Sequence, residues 1–252
     1  MLWLRFKLRS SVALLAIPLC LGGRARAQQL PMLLPAVQPQ YTVHVADGLI
    51  IAGGLVLTAL PLFQGDSVAS PCPCNVGALW GIDRGTVGPI DQKSATASSI
   101  ANVVTMGLAT ADLMLSRPGE SWEARRGDLV VLTQAITITS GLTQVIKNMT
   151  GRPRPYVYDA QPTGNVVRED VSSFPSGHTS TAFAAAAAYW STVHRRGVAS
   201  QHSLEIVSLF LLAATTGALR VTAHKHFPTD VVAGAALGTA IGWAVPQLHP
   251  MR

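Results

Sequence analysis

The chain has 252 residues, of which 48% are hydrophobic and only 13% are charged, and its formal net charge is +6. This content of charged residues is low for a soluble domain and indicates contact with lipid. The cations lie between apolar segments, and no basic run is interleaved with aromatic residues, so we expect no nucleic-acid partner. A membrane surface or an anionic substrate accounts better for the positive charge.

Residues 1–27 have the three-part pattern of a secretory signal. Positive residues come first, an apolar run from Val12 to Leu21 follows, and Ala25-Arg26-Ala27 ends the pattern. Cleavage before Gln28 and retention as an uncleaved anchor both agree with it. In either case we expect the protein to leave the cytosol or to enter its membrane, and residues 28–252 to form a single helical domain.

Three cysteines are present, and Cys20 lies within this signal. Cys72 and Cys74 are separated by one proline. In an exported loop such a pair favours a tight disulfide, whereas a zinc site built on two cysteines would have too few partners nearby. We therefore predict a structural disulfide.

Six apolar segments follow the signal, and no alternating strand pattern appears, so we predict an all-α fold. Several segments are shorter than the ~20 residues that span a bilayer comfortably, so tilted membrane helices and a soluble helical bundle both remain open. We expect an antiparallel bundle of about six helices, embedded in a membrane, with its site at one end. The segments are Leu49–Phe63, Ala95–Leu115, Leu129–Ile146, Thr179–Val193, Ile206–Leu219 and Val231–Val245.

The sixth segment carries glycine at every fourth residue, at Gly234, Gly238 and Gly242. This spacing places the glycines on one face of a helix and lets another helix approach closely. We predict tight helix packing along this face.

Arginines in the connections suggest an orientation, since cytoplasmic loops are rich in Lys and Arg. On that rule the loop Lys147–Ser176 and the turn Arg220–Phe227 lie on the outer side. If the signal is cleaved and all six segments cross the membrane, this loop and this turn would instead lie in the cytoplasm. We therefore expect Leu49–Phe63 not to cross the membrane fully. The arginines used follow the second and fourth segments: Arg117, Arg125, Arg126, Arg195 and Arg196.

Polar residues cluster where the last four segments begin or end. Because adjacent helices run antiparallel, we expect these clusters to meet at one aqueous end. Each has an ordinary explanation, since interfacial cations snorkel, Arg220 and Asp230 complement helix dipoles, and Ser176 can cap a helix. An anion site at the helix N-terminus is the alternative. Lys147 is followed, after six intervening residues, by Arg154-Pro155. Pro175-Ser176-Gly177-His178 comes next along the chain. Arg220 is followed after five residues by His226, and His226 after three residues by Asp230.

This pattern resembles the three-part signature of the type 2 phosphatidic acid phosphatase superfamily. The resemblance covers Lys147 to Asp230 directly. One position departs from it: the family usually has serine before the arginine of the third motif, and this chain has Leu219, which cannot donate a hydrogen bond. Thr216 or Thr222 could supply the hydroxyl instead.

The resemblance implies a phosphatase for lipid phosphate or pyrophosphate esters that needs no metal or other cofactor. His226 would attack phosphorus to form a phosphohistidine, and Asp230 would orient its ring. His178 would protonate the leaving oxygen and then activate water. The phosphoryl oxygens would be held by Lys147, Arg154, Ser176, Gly177 and Arg220.

Several alternatives stay open at this point. His224 is a rival nucleophile by proximity, His224, His226 and Asp230 could in principle hold a metal, and Arg152 could add positive field or hold its loop. His194 and His202 are expected to be solvated in the opposite connection.

We expect a phosphorylated lipid substrate and a site on the periplasmic face of a bacterial inner membrane, and we leave the oligomeric state open. A soluble periplasmic acid phosphatase of broad specificity is the runner-up. The remaining hypotheses are a vanadium haloperoxidase and a non-catalytic binder of lipid headgroups.

Overall fold

The computed structural model describes residues 39–115 and 120–252. Each predicted apolar segment lies in an α-helix, except that the first ends in a 3₁₀ turn, Leu60–Phe63. The predicted signal, Cys20 and Arg117 lie outside these described residues. The prediction of an all-α bundle of about six helices is confirmed. The long helices are α1 (Val45–Thr58), α3 (Gln92–Leu115), α4 (Trp122–Thr150), α6 (Gly177–Arg195), α7 (Ser203–Thr222) and α8 (Pro228–Leu248), and the short ones are α2 (Gly81–Arg84) and α5 (Pro155–Ala160).

A small layer of loops lies beside the bundle, and it contains a pair of strands that the sequence did not predict. Strand β1 (Ser67–Ala69) pairs antiparallel with β2 (Asn165–Val167). Three residues are too few for a recognisable alternation of polar and apolar side chains. The predicted disulfide between Cys72 and Cys74 is confirmed. Gln161 joins the disulfide loop to the loop after α5, because the Gln161 side chain both accepts from and donates to the backbone of Cys74.

Helix α6 lies at the centre of the bundle and packs against α3, α4, α7 and α8. The run Ala184–Ala188 is completely buried. Its small side chains let the neighbouring helices approach closely, so this apolar segment is enclosed by protein. Helix α6 is not among the described helices whose length and composition suit a membrane span.

Within the described part of the chain, four stretches are long and apolar enough to cross a membrane: Gln92–Leu115, Trp122–Ala160, Ser203–Thr222 and Pro228–Leu248. Helix α1 is apolar but has 14 residues, or about 21 Å of helix. A bilayer's hydrocarbon core is about 30 Å thick, so α1 alone is too short to cross it upright. That length agrees with the expectation for the first segment.

The glycine face of α8 packs directly against the backbone of α6, as predicted. A Cβ atom at Gly234 would lie 2.7 Å from the carbonyl oxygen of Ser176. Added Cβ atoms at Gly238 and Gly242 would overlap the carbonyl oxygens of Ser180 and Ala184. This close contact fixes the beginnings of α6 and α8 beside each other.

The opposite end of the bundle contains polar residues that are buried rather than solvated. The Arg196 side chain is fully buried and pairs with Asp128 at 2.7 Å and Glu120 at 2.8 Å. His202 is 7% exposed, with Nδ1 2.9 Å from the hydroxyl of Tyr189. The expectation of a solvated His202 is therefore wrong, and Arg196 stabilises the packing of α4 on α6.

Candidate active site

The polar clusters of the last four segments meet at one end of the bundle, as the antiparallel arrangement predicts. The backbone N–H of Ser176, just before α6, donates to the carbonyl of Asp230 in the first turn of α8 at 3.0 Å. Arg154, just after α4, donates to the carbonyl of Lys225 in the turn between α7 and α8 at 3.1 Å. The beginning of α3 joins them, since the N–H of Asp91 donates to the carbonyl of Ala223.

His226 is buried and held by a backbone group. Its Nδ1 donates to the carbonyl oxygen of Ser173 at 2.7 Å, which fixes the proton on Nδ1 and leaves Nε2 as the unprotonated nitrogen. This Nε2 lies 3.5 Å from a guanidinium nitrogen of Arg154. The free nitrogen of the ring is therefore directed at a cation, where an anionic ligand would also bind.

Asp230 supports His226 through other groups as well as directly. Its Oδ2 is 3.7 Å from Nδ1 of His226, which is longer than a hydrogen bond. The same oxygen accepts from the hydroxyl of Ser173 at 2.5 Å and from the N–H of Phe227 at 2.9 Å. Asp230 thus fixes the residue whose carbonyl orients the ring. The sequence predicted the orienting role of Asp230 but missed Ser173, which no spacing pattern marks.

Arg152 links two buried carboxylates under this turn. It donates to Oδ1 of Asp230 at 2.5 Å and to Oδ2 of Asp83 at 2.8 Å. Asp83 also accepts from the backbone and hydroxyl of Thr229. Because its charge is paired with these carboxylates, Arg152 holds the loop, which is one of the two roles the sequence left open. Asp83 lies in the short helix α2, and nothing in the sequence pattern marked it.

Three signature cations surround the histidines. Arg154 and Arg220 are 4% and 5% exposed. Lys147 extends its Nζ over the start of α6, 3.8 Å from where a Cβ atom of Gly177 would lie. Arg154 is anchored by the carbonyl of Glu169 at 2.7 Å, and Nε of Arg220 has no hydrogen-bond partner among the described residues. Buried positive charge with free donors favours a bound anion.

His178 lies on the open side of this cluster. It lines a cavity of about 320 Å³ together with Arg220 and Lys225, and another of about 390 Å³ together with Lys147 and Gly177. The charges of the three signature cations act on both His178 and His226. The two rings therefore lie within reach of one common set of positive charges.

Helix α6 begins without a side-chain cap. Ser176 occupies the N-cap position, yet its hydroxyl bonds the hydroxyl of Thr179 at 2.9 Å and makes no capping hydrogen bond. Of the two explanations weighed for Ser176, side-chain capping is therefore not observed. The backbone N–H groups at the start of α6 are consequently left for another acceptor, and helix N-termini favour anions.

Two suggestions for additional site residues do not hold. His224 has a positive φ of 55° and its Nδ1 bonds the carbonyl of Thr86 at 2.8 Å. The hydroxyls of Thr216 and Thr222 bond carbonyls of their own helix, so neither supplies the group that Leu219 lacks.

Within residues 39–115 and 120–252, one group of side chains lies close enough together to ligate a metal, and it is at the opposite end: Asp112, His202 and Glu205.

Burial lowers the pKa of His226 well below its ordinary value, and the charges of Arg154, Lys147 and Arg220 lower it further, against an opposing hydrogen bond to Ser173. The imidazole is therefore neutral in the folded protein at pH 7. An unfolded histidine binds its proton near pH 6.5. Because the unfolded chain then binds a proton that the folded chain does not, this group makes folding less stable as pH falls below about 6.5.

We expect the ¹⁵N resonances of the His226 ring to show no titration between about pH 5.5 and 8, with the proton on Nδ1 throughout. The same histidine in the urea-unfolded chain provides the control and should titrate near pH 6.5. An inflection near pH 6.5 in the folded protein would contradict the buried environment described above.

The fold and the site define a helical-bundle protein with a histidine-containing, polybasic anion site at one end. Residues 128–252 match the family model of the PAP2 superfamily, the family that the sequence pattern resembles. Every signature residue from Lys147 to Asp230 falls within the matched region, whereas α3 lies before it.

Curated relatives are similar over part of their length. Lipid phosphate phosphatase 2 of Arabidopsis thaliana is 33% identical over 132 residues, covering 42% of this chain and 45% of the relative. Lipid phosphate phosphatase 1 of the same plant is 36% identical over 143 residues, or 46% and 43%. Lipid A 1-phosphatase of Porphyromonas gingivalis is 37% identical over 71 residues, or 28% and 15%. The chain thus spans less than half the length of these relatives. No solved structure matches it.

Proposed function

We propose that this protein is a membrane-associated phosphatase that hydrolyses lipid phosphate or pyrophosphate esters through a phosphohistidine. The observation that carries the proposal is that His226 lies 3.5 Å from Arg154, while His178 lines cavities with Arg220 and with Lys147 at the uncapped start of α6. The names of the relatives, which are lipid phosphatases, support the same substrate class.

In the first chemical step, the unprotonated Nε2 of His226 attacks phosphorus. The bond from phosphorus to the ester oxygen breaks, and His178 donates a proton to that departing oxygen. Because burial and the neighbouring cations lower the pKa of His178 to about 4, the ring takes up this proton only when the anionic substrate is bound. The ring of His226 gains positive charge as the bond forms. Its Nδ1–H remains bonded to the carbonyl of Ser173 at 2.7 Å, with Asp230 at 3.7 Å, and both groups stabilise that charge.

In the second step, His178, now neutral, takes a proton from water while the water oxygen attacks phosphorus. The bond between phosphorus and Nε2 of His226 breaks, which releases inorganic phosphate and restores both rings. Lys147, Arg154 and Arg220 bind the phosphoryl oxygens throughout, together with Ser176 and the N–H of Gly177. Such fixed donors stabilise charge that develops in the transition state.

The surface of the bundle favours a lipid substrate over a soluble one. Large apolar side chains are exposed on the helices that could cross a membrane, including Val103, Leu211, Val232 and Trp243. Contact with acyl chains would cover them. We propose that the protein resides in a bacterial cytoplasmic membrane with the site on its periplasmic face. A soluble periplasmic acid phosphatase would leave these side chains in water.

Release of inorganic phosphate from a panel of substrates in detergent micelles tests the proposal. We expect the native protein to hydrolyse phosphatidic acid and a polyprenyl pyrophosphate faster than a water-soluble monoester of matched headgroup. Activity should persist in excess chelator. His194→Ala, at the opposite end, serves as the control beside His178→Ala. Equal activity of these two variants, or a preference for soluble esters, would count against the proposed function.

A further inference from the structure

Helix α3 brings two consecutive hydroxyls to the candidate site. Ser98 is completely buried and Ser99 is half-buried, both within the first two turns of α3. They lie outside residues 128–252, the part matched to the superfamily. Ser99 lines the cavity that His178 and Arg220 share. These serines therefore contact signature residues from a helix that contributes none of its own.

Ser99 contacts the ring of His178. Its hydroxyl donates to the carbonyl of Ala95 at 3.2 Å, and its oxygen lies 3.2 Å from Nε2 of His178. When the hydroxyl proton is directed at Ala95, the oxygen accepts from Nε2–H of the ring. This hydrogen bond selects the tautomer protonated on Nε2 and leaves Nδ1 to exchange a proton with the substrate oxygen or with water.

Ser98 contacts the guanidinium of Arg220 in a similar way. Its hydroxyl donates to the same carbonyl of Ala95 at 2.6 Å, and its oxygen accepts from a terminal nitrogen of Arg220 at 3.3 Å. One side of the guanidinium is thereby fixed by α3. Its Nε has no partner among the residues that the structure describes, so a donor is left for an anion.

We propose that Ser98 and Ser99 are positioning residues of this site, Ser98 for Arg220 and Ser99 for His178. The proposal rests on the proposed phosphatase function and adds to it. Leu219 removes a hydroxyl beside Arg220, and Thr216 and Thr222 bond their own helix instead. The hydroxyls of α3, which packs directly against α7, supply polar contacts instead.

The test of Ser99 compares a lipid phosphate with p-nitrophenyl phosphate, whose leaving group departs without needing a proton. We expect Ser99→Ala to lower kcat about tenfold on the lipid phosphate, as loss of one hydrogen bond to a charged group would. The loss in the rate at which the phosphohistidine forms should be smaller on p-nitrophenyl phosphate, because only that step dispenses with the acid, and KM should change little. Ser99→Thr, which keeps the hydroxyl, should restore the rate. An equal loss on both substrates, without rescue by threonine, would overturn the assignment.

For Ser98, the expected effect falls on binding, because its partner holds the phosphoryl group. Ser98→Ala should raise KM several-fold with a smaller change in kcat. Thr110→Ala is the matched control, since Thr110 is exposed on the same helix and bonds only the carbonyl of Met106. A Ser98→Ala variant that matches Thr110→Ala in KM would refute the role of Ser98.

A readout that is independent of turnover separates this inference from the proposed function. The ¹⁵N spectrum of the His178 ring should show the proton on Nε2 in the native protein and a mixture of tautomers in Ser99→Ala. If no substrate releases phosphate yet the tautomer depends on Ser99, the phosphatase proposal fails and the contact stands. If Ser99→Ala leaves the spectrum unchanged, the positioning role of Ser99 is wrong whatever the activity.

Discussion

Replacing His226 with alanine should lower phosphate release by about 10⁴-fold or more, the size of effect seen when a covalent nucleophile is removed from a hydrolase. Without this ring, water would have to attack phosphorus directly, and no nucleophilic atom would be held beside the cations. The nitrogen that disappears is the one that lies 3.5 Å from Arg154. Measurement of inorganic phosphate with purified variants provides the rate.

The control for this variant is His224→Ala. It removes the same kind of side chain two residues earlier in the same turn, but a ring that bonds the carbonyl of Thr86. We expect His224→Ala to keep its rate within about tenfold, since only one neutral hydrogen bond is lost. Comparable inactivation of both variants would indicate damage to the turn rather than loss of a nucleophile.

Trapping of the intermediate gives a second, more direct measurement. Brief reaction with ³²P-labelled substrate, followed by denaturation in alkali, should leave label on the native protein and on His224→Ala, and none on His226→Ala. His178→Ala should accumulate label when the substrate is p-nitrophenyl phosphate, because formation of the intermediate then needs no acid while its hydrolysis still needs a base. Absence of label on His178→Ala and the native protein alike would contradict a phosphohistidine.

The helices could be predicted because each contains a long apolar run, and hydrophobicity along the chain records that directly. It does not record whether lipid or protein covers the run. Helix α6 was therefore grouped with the spans, although its alanines are enclosed by α3, α4, α7 and α8. Strands β1 and β2 are paired by contacts between loops about a hundred residues apart, and no local pattern announces such a pairing.

The residues of the candidate site follow from fixed spacing, whereas their supporting contacts do not. The four-residue interval from His226 to Asp230 suggested that the carboxylate orients the ring directly. Instead a chain segment from before α6 places the carbonyl of Ser173 against the ring. Asp83 and Ser99 come from helices far away in sequence. Their roles depend on how those helices dock, which is a property of the packed bundle.

The second large effect that we expect from a single substitution is a loss of stability, and it concerns the packing of α6 against α8. These two helices carry His178 and Asp230 in their first turns, and their contact depends on glycine. A Cβ atom at Gly238 would overlap the carbonyl oxygen of Ser180 and lie 2.9 Å from the backbone nitrogen of Ala184. Both obstacles are backbone atoms of a helix, so no side-chain rotation can relieve them.

Gly238→Ala should therefore destabilise the protein by about 3 kcal/mol, at the upper end for an overpacked core, which lowers Tm by roughly 6–12 °C in a protein of this size. The matched control is Gly107→Ala in the middle of α3, where an added Cβ atom meets nothing within 4 Å. That change should stabilise by up to about 1 kcal/mol, because alanine favours a helix more than glycine does. Thermal unfolding in detergent measures both. Equal Tm values would show that α6 and α8 do not depend on backbone contact, and activity lost in Gly238→Ala below its Tm would show that the same contact aligns the two helix starts.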